Sequence, residues 1–228
     1  MQNELGMRLS AAAALVLPGK TAADIGSDHM RLPMHLAEKG VCPRVIAADK
    51  VPLACKKGEA LIAMAGLSHL IEVRCGDGLQ VLRPGEAATI IITGMGGRLI
   101  RDILAGREAT AAAAERLVLS PQKDAALLRN YLASSGWRIV SETAVFEAEK
   151  YYVMIAAERG EMALSAEEAE YGPCLLRDRP PAFLAQLACR VRELELIEDK
   201  LAASPGTKSR CRAAEIAAEK ARLTEMLG

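Results

Sequence analysis

From about residue 20 to 157 the chain alternates short β-branched or apolar runs with segments of helical period, and few folds besides a largely parallel sheet with crossover helices satisfy that alternation. The spacing predicts strands at Thr21–Ile25, Val45–Ala48, Ile71–Arg74, Thr89–Thr93 and Leu117–Leu119, and helices at Leu32–Lys39, Leu53–Ala65, Gly97–Leu104 and Asp124–Ser134. Each connection has room for a right-handed crossover. After Gly136 the pattern changes. Trp137–Val145 and Tyr151–Ala156 are strand-like and joined only by Phe146–Lys150, too short for a crossover, so this last pair is expected to be antiparallel.

Beyond Gly160 the strand pattern stops, which sets an expected division into domains of residues 1–160 and 161–228. Leu184, Leu187, Val191, Leu194 and Leu201 follow heptad spacing with Glu198 in the vacant slot. Ser204-Pro205-Gly206 breaks the run, and Ala213, Ile216, Leu223 and Leu227 resume it with Lys220 in the vacant slot. Two helices of ~20 residues, each ~30 Å long, read as an antiparallel coiled-coil hairpin.

Composition removes several function classes. Lys+Arg and Asp+Glu both number 29, so no long-range attraction to nucleic acid is written into the whole chain. From Glu161 onward there are twelve acids and ten bases, so neither part is a basic arm. Six cysteines without a Cys-x-x-Cys pair and three histidines predict reduced thiols and no metal site. Apolar stretches fall short of the ~20 residues of a membrane span and no signal-peptide core is visible, which places the chain in the cytoplasm. Aromatic residues make up 3%, which argues against a broad base-stacking platform.

The chemistry-bearing residues fall at strand ends, where open parallel sheets bind ligands. Asp24-Ile25-Gly26-Ser27-Asp28-His29 follows the first strand, and Gly26 lets the backbone turn and approach a ligand. A full G-x-G-x-x-G pattern is absent, which disfavours a dinucleotide pyrophosphate and a nicotinamide dehydrogenase. Asp49 ends the second strand, 25 residues after Asp24, near the spacing at which an acid accepts hydrogen bonds from ribose hydroxyls. Gly76-Asp77-Gly78-Leu79 follows the third strand, where an acid accepts from an adenine amino group. Thr93-Gly94-Met95-Gly96-Gly97 follows the fourth, and three glycines in four positions point to a ligand beside the backbone. Ribose and adenine contacts without a triphosphate cradle describe adenosine joined to something other than phosphate. S-adenosylmethionine fits, with Asp24, Gly26, Ser27, Asp49, Asp77, Gly78 and Gly94 as its expected contacts.

DIGSDH with the following Leu-Pro, GDGL, the GMGG loop, SPQ, EKYYVMI and YGPCLL together resemble the bacterial tRNA (adenine-22-N1)-methyltransferases, the TrmK family, over nearly the whole chain. The resemblance implies a Rossmann-like class I methyltransferase sheet, S-adenosylmethionine as donor, tRNA as partner and a C-terminal coiled-coil domain that helps engage it. Gly94 to Gly97 match the family's loop between cofactor and substrate, which puts Met95 and Gly96 on the substrate side. Arg31 stands where an aromatic residue is common, and Ser120-Pro121-Gln122 stands where many members have Gln-Pro-Asn. Asp28 takes the place of a glycine in the more usual methyltransferase loop.

Adenine N1 has a free lone pair, so its alkylation needs no strong base, and alignment with the sulfonium methyl supplies most of the acceleration. The product base is cationic, so a nearby carboxylate or amide oxygen should stabilise the growing charge. Asp28 and His29 are the expected catalytic residues, with Gln122 beside the base. Arg8, Arg31 and Arg98 are expected to meet the RNA backbone. The competing readings are a methyltransferase of another RNA, a protein or a small molecule, and a non-catalytic RNA-binding module.

Overall fold

The protein's structure, a computed structural model, describes residues 5–27, 29–202 and 207–228, with backbone alone at 202 and 207–211. It divides into two compact units, Met1–Asp178 and Arg179–Gly228.

The first unit is built on β1 (Ala22–Ile25), β2 (Val45–Asp49), β3 (Ile71–Cys75), β4 (Thr89–Met95), β5 (Arg116–Pro121), β6 (Trp137–Glu147) and β7 (Lys150–Arg159). They form one sheet in the order β3-β2-β1-β4-β5-β7-β6. The first five strands pair in parallel, and β7 runs antiparallel to both β5 and β6. Every strand expected from the sequence is present, within a residue or two at most ends.

Both faces of the central strands are covered, which is why they read as continuous apolar runs. Ala23, Ile25, Ile46, Ala48, Ile90, Ile92, Leu117 and Leu119 join one buried cluster. That face is packed by α4 (Gly97–Ala105), α5 (Glu108–Ala112) and α6 (Ala125–Ser134). Ala22, Val45, Ala47, Ile91 and Val118 alternate with them and meet α1 (Met7–Ala14), α2 (Arg31–Glu38) and α3 (Pro52–Met64) on the other face. The alanines of β1 are weak strand formers by themselves; their place between two strands and two helical layers overrides propensity.

The connection between β6 and β7 is shorter than the expected Phe146–Lys150. Pairing continues to Glu147 opposite Lys150, leaving a two-residue turn of Ala148 and Glu149, both at positive φ (+49° and +60°). Hairpin turns of this hand match strand twist but normally recruit Asn or Gly, so Ala-Glu gave no signal.

Sequence pattern also left out four short helices: α1, α5, α7 (Ala166–Tyr171) and α8 (Pro173–Asp178). The last two lie within the first compact unit, which runs to Asp178. Arg129 of α6 and Glu142 of β6 form a fully buried ion pair, Nε to Oε1 2.8 Å, with side chains 1% and 0% exposed. The same guanidinium donates to the carbonyls of Ala169 and Glu170, and the second carboxylate oxygen accepts from the Cys174 backbone N–H at 3.0 Å. One charge pair thereby satisfies the end of α7 and the start of α8 and fastens both to the sheet. No residue spacing announces such a contact.

In the second unit, α9 (Pro181–Ala202) and α10 (Thr207–Leu227) form the helical hairpin. Leu187, Leu194, Ile216 and Leu223 are buried, joined by Phe183. The two polar residues in the vacant heptad slots find each other: Lys220 donates to Glu198. Side chains 31% and 25% exposed gain little from such a pair, about 0–1 kcal/mol, so its value lies in fixing the pairing of the helices. The Ser204-Pro205-Gly206 break lies outside the described residues.

Replacing Arg129 by Met should strand the Glu142 carboxylate and two carbonyls, at a cost of about 3–5 kcal/mol. Urea unfolding measures it, and a loss under about 1 kcal/mol would contradict the anchoring role.

Candidate active site

The order reverses at β1: the chain passes to β2 on one side and returns to β4 on the other, so the loops leaving β1 and β4 diverge and open a crevice. The loop after β1 is tied to its neighbour, with the backbone N–H groups of Gly26 and Ser27 both donating to the Ala48 carbonyl at 2.8 and 2.9 Å. Gly26 sits at φ +85° with Met95 of the β4 loop over it. The next helix starts abruptly: Met30, buried at 1% exposure, precedes α2 in the left-handed region at φ +53° with no side-chain cap. The Ser27 hydroxyl does not cap α2. Strain of this kind in a non-glycine residue persists only where the surroundings enforce it.

Asp24 is 5% exposed at the end of β1, and burial pushes its pKa up to about 6, with Asp49 adding to the rise. Ser27 and Arg8 pull it back. The Ser27 hydroxyl is buried and lacks a partner in normal hydrogen-bond geometry among the described residues, so it fits a polar group of a ligand. Arg8 comes from α1 and lies over the Tyr152 ring of β7, 5.5 Å from its centroid. The structure thus places Arg8 half-buried beside the crevice, where its charge acts on Asp24 as well as on any RNA.

Asp49 is half-buried and accepts from the Val51 backbone N–H at 2.8 Å. That single bond orients the carboxylate and leaves most of its lone pairs available. It makes no ion pair with Lys50. The Asp49 carbonyl accepts from Gly76 at 3.0 Å, which draws the β3 loop alongside. Asp77 is exposed at the start of a 3-10 turn, Gly78–Val81, and its side chain caps nothing.

The glycines of the β4 loop divide into two roles. Gly94, at φ +79°, lies at a register shift where Thr93 pairs with Ser120 and Met95 with Pro121, a bulge that turns the strand end. A Cβ there would meet nothing within 4 Å, so this backbone is open to a ligand. Gly97 is different: a Cβ would collide with the Asp124 carbonyl, and its N–H donates to the Lys123 carbonyl at 2.8 Å. Packing requires that glycine, so the run is only partly a ligand signal. Gln122 donates its backbone N–H to the Met95 carbonyl at 2.9 Å, linking the β4 and β5 loops. Gln122, His29, Arg31 and Arg98 are exposed, and Gly96 is half-buried beneath the Lys123 side chain. Asp28 lies outside the described residues. Sequence reasoning missed Lys123, which belongs to no motif, and gave Tyr152 no site role although it lies in the EKYYVMI stretch, because only the sheet brings the two to this rim. Among the described residues no cluster of three or more His, Cys, Asp or Glu is arranged to hold a metal, and no helix is long and apolar enough to cross a membrane.

The Asp24 pKa carries a sign. Folding favours the neutral acid, so its contribution is complete below the ordinary value of 3.8 and lost as pH rises through about 6. Asp24→Asn, neutral throughout, should lose about 3 kcal/mol less stability than the parent protein between about pH 4 and 7. Denaturant unfolding across that range checks it; parallel curves for the two proteins would contradict the buried-acid reading.

A family model described as tRNA (adenine(22)-N(1))-methyltransferase matches residues 22–225. The tRNA (adenine(22)-N(1))-methyltransferase of Bacillus subtilis (strain 168) is 30% identical over 212 residues, covering 90% of this chain and 89% of that protein. The crystal structure of Streptococcus pneumoniae Sp1610, described as a candidate tRNA (m1A22) methyltransferase, superposes with a TM-score of 0.90 at 31% identity, covering 99% of this chain and 100% of that one. Sp1610 in complex with S-adenosyl-L-methionine gives 0.87 at 30% identity, with the same coverage. The family match takes in the sheet, its four ligand-compatible strand ends and the helical hairpin alike, and this chain belongs to the tRNA (adenine(22)-N(1))-methyltransferase family, TrmK.

Proposed function

We propose that the protein transfers a methyl group from S-adenosylmethionine to N1 of adenosine 22 in tRNA, giving 1-methyladenosine, and that the crevice at β1 and β4 is where it does so. The observation that carries the reading is the set of four consecutive strand ends: a buried acid with an orphaned hydroxyl, a backbone-oriented carboxylate, an uncommitted acid in a glycine turn, and an open glycine bulge. When bound, S-adenosylmethionine supplies an electrophilic methyl group. Asp49 accepts from its ribose hydroxyls and Asp77 from its adenine amino group, while Asp24, Gly26, Ser27, Gly78 and Gly94 line its approach.

Met95, Gly96 and Gln122 border the target base, and their linked loops hold it in line. N1 lies on the Watson–Crick edge, so the adenine must be unpaired or extruded to react. As N1 gains charge, Asp28 stabilises it, with His29 beside it. Arg8, Arg31 and Arg98 border the RNA backbone, and the second unit engages the tRNA body. A tRNA substrate places the enzyme in the cytoplasm.

Incubation of unmodified tRNA carrying adenosine 22 with S-adenosylmethionine, followed by nucleoside mass spectrometry, should yield 1-methyladenosine. A guanosine at position 22 should abolish it; equal methylation of both transcripts would overturn the site assignment. Asp49→Ala and Asp77→Ala should each weaken donor binding by the ~1.5–3 kcal/mol of a hydrogen bond to a charged group, read by calorimetry. A chain ending at Asp178 should keep donor affinity and lose most tRNA methylation, and undiminished turnover at low tRNA would contradict the role given to the hairpin.

A further inference from the structure

The β6–β7 hairpin rises past the rim on which the reaction is placed. Leu119 of β5 pairs with Ile155 of β7 at the end of their ladder, and β5 stops two residues later at Pro121, whereas β7 reaches back through Val153 to Lys150. The strands continue beyond that level to the turn at Ala148-Glu149. Tyr152 faces the α1 side, under Arg8. Tyr151 and its register partner Phe146 face the opposite side, the side of α4 and α6, by alternation.

Their rings lie 4.7 Å apart, centroid to centroid, inclined at 45°. Phe146 is 46% exposed, whereas Trp137 and Phe183 are buried and the tyrosines are half-buried. A cross-strand aromatic pair that served only to close the hairpin would gain most by burial. This one instead leaves the Phe146 ring exposed to solvent near the turn end of the ribbon. Lys150 begins the strand that carries Tyr151, and neither it nor Lys123, whose side chain lies against Gly96, has an ion pair among the described residues, unlike Arg74, Arg116 and Arg129 of the same unit. With strands ~4.8 Å apart, Tyr151 and Phe146 stand about 10–15 Å along the sheet from β4, one or two nucleotides from a base held at the crevice.

We propose that Phe146 and Tyr151 form a stacking step for an unpaired nucleobase of the tRNA next to the target adenosine, with Lys123 and Lys150 drawing its phosphates. This rests on the tRNA reading above and adds a specific base contact to it. A stack of aromatic rings beside cations recognises any exposed nucleobase through its π-face.

The test compares the full-length protein with its Phe146→Leu, Tyr151→Leu and Phe146→Trp variants, using a tRNA transcript carrying adenosine 22. Each Leu variant should raise KM for tRNA about 10-fold to 100-fold, with donor affinity unchanged and kcat little altered. Phe146→Trp should restore KM, and its added indole emission should be quenched when tRNA binds. A wild-type KM in both Leu variants, or Trp emission indifferent to tRNA, overturns the proposal; a surface meant for a protein partner would give that result. Failure of the parent protein to methylate tRNA would overturn the wider reading as well, so the two failures are distinguishable.

Discussion

The reversal of strand order at β1 governs this molecule. Parallel strands must send their connections over opposite faces of the sheet, and where the direction of travel switches, the two loops part and leave a crevice at the carboxyl ends. Because β1 and β4 are buried on both faces, the crevice has rigid walls, and side chains placed at its edge inherit that rigidity. Asp24 shows the consequence. Its carboxyl is held where water is scarce, which raises its proton affinity more than Ser27 and Arg8 lower it.

The same sheet gathers residues that are remote in sequence. Arg8 reaches the crevice from the N-terminal helix, and Tyr152 reaches it from the antiparallel strand β7 inserted between β5 and β6. Orientation of a donor against a nucleophile demands such fixed walls more than it demands a strong base, because adenine N1 is nucleophilic in its neutral form. The buried pair of Arg129 and Glu142 has the complementary task of fastening α7 and α8 to the sheet.

Four of the five parallel strands, β1, β2, β4 and β5, are legible in sequence because burial on both faces leaves apolar runs, whereas β3 at the sheet edge shows as an Ile-Glu-Val-Arg alternation. The candidate site residues Asp24, Asp49, Asp77 and Gly94 stand out in the sequence because each lies at or near the carboxyl end of a strand run. Legibility stops where a contact joins distant segments. Helices α7 and α8, of six residues each, are too short to show a period and are fastened by Arg129 and Glu142, while α1 sets Arg8 over Tyr152 of a strand remote in sequence. Gly97 looks like Gly94 in sequence, and only the nearby Asp124 carbonyl separates a packing glycine from an open one. Glu198 and Lys220 read as two defects in two heptad runs until the hairpin pairs them.

The central claim is that loops from four consecutive strand ends hold one ligand. Amide hydrogen exchange with and without S-adenosylmethionine tests it directly, since each loop reports separately. Slowed exchange should appear together at Gly26-Ser27, around Asp49 to Val51, at Gly76 to Leu79 and at Gly94 to Gly96, with the strands behind them unchanged. Protection confined to one of these loops, or centred on the opposite edge of the sheet, would contradict the account.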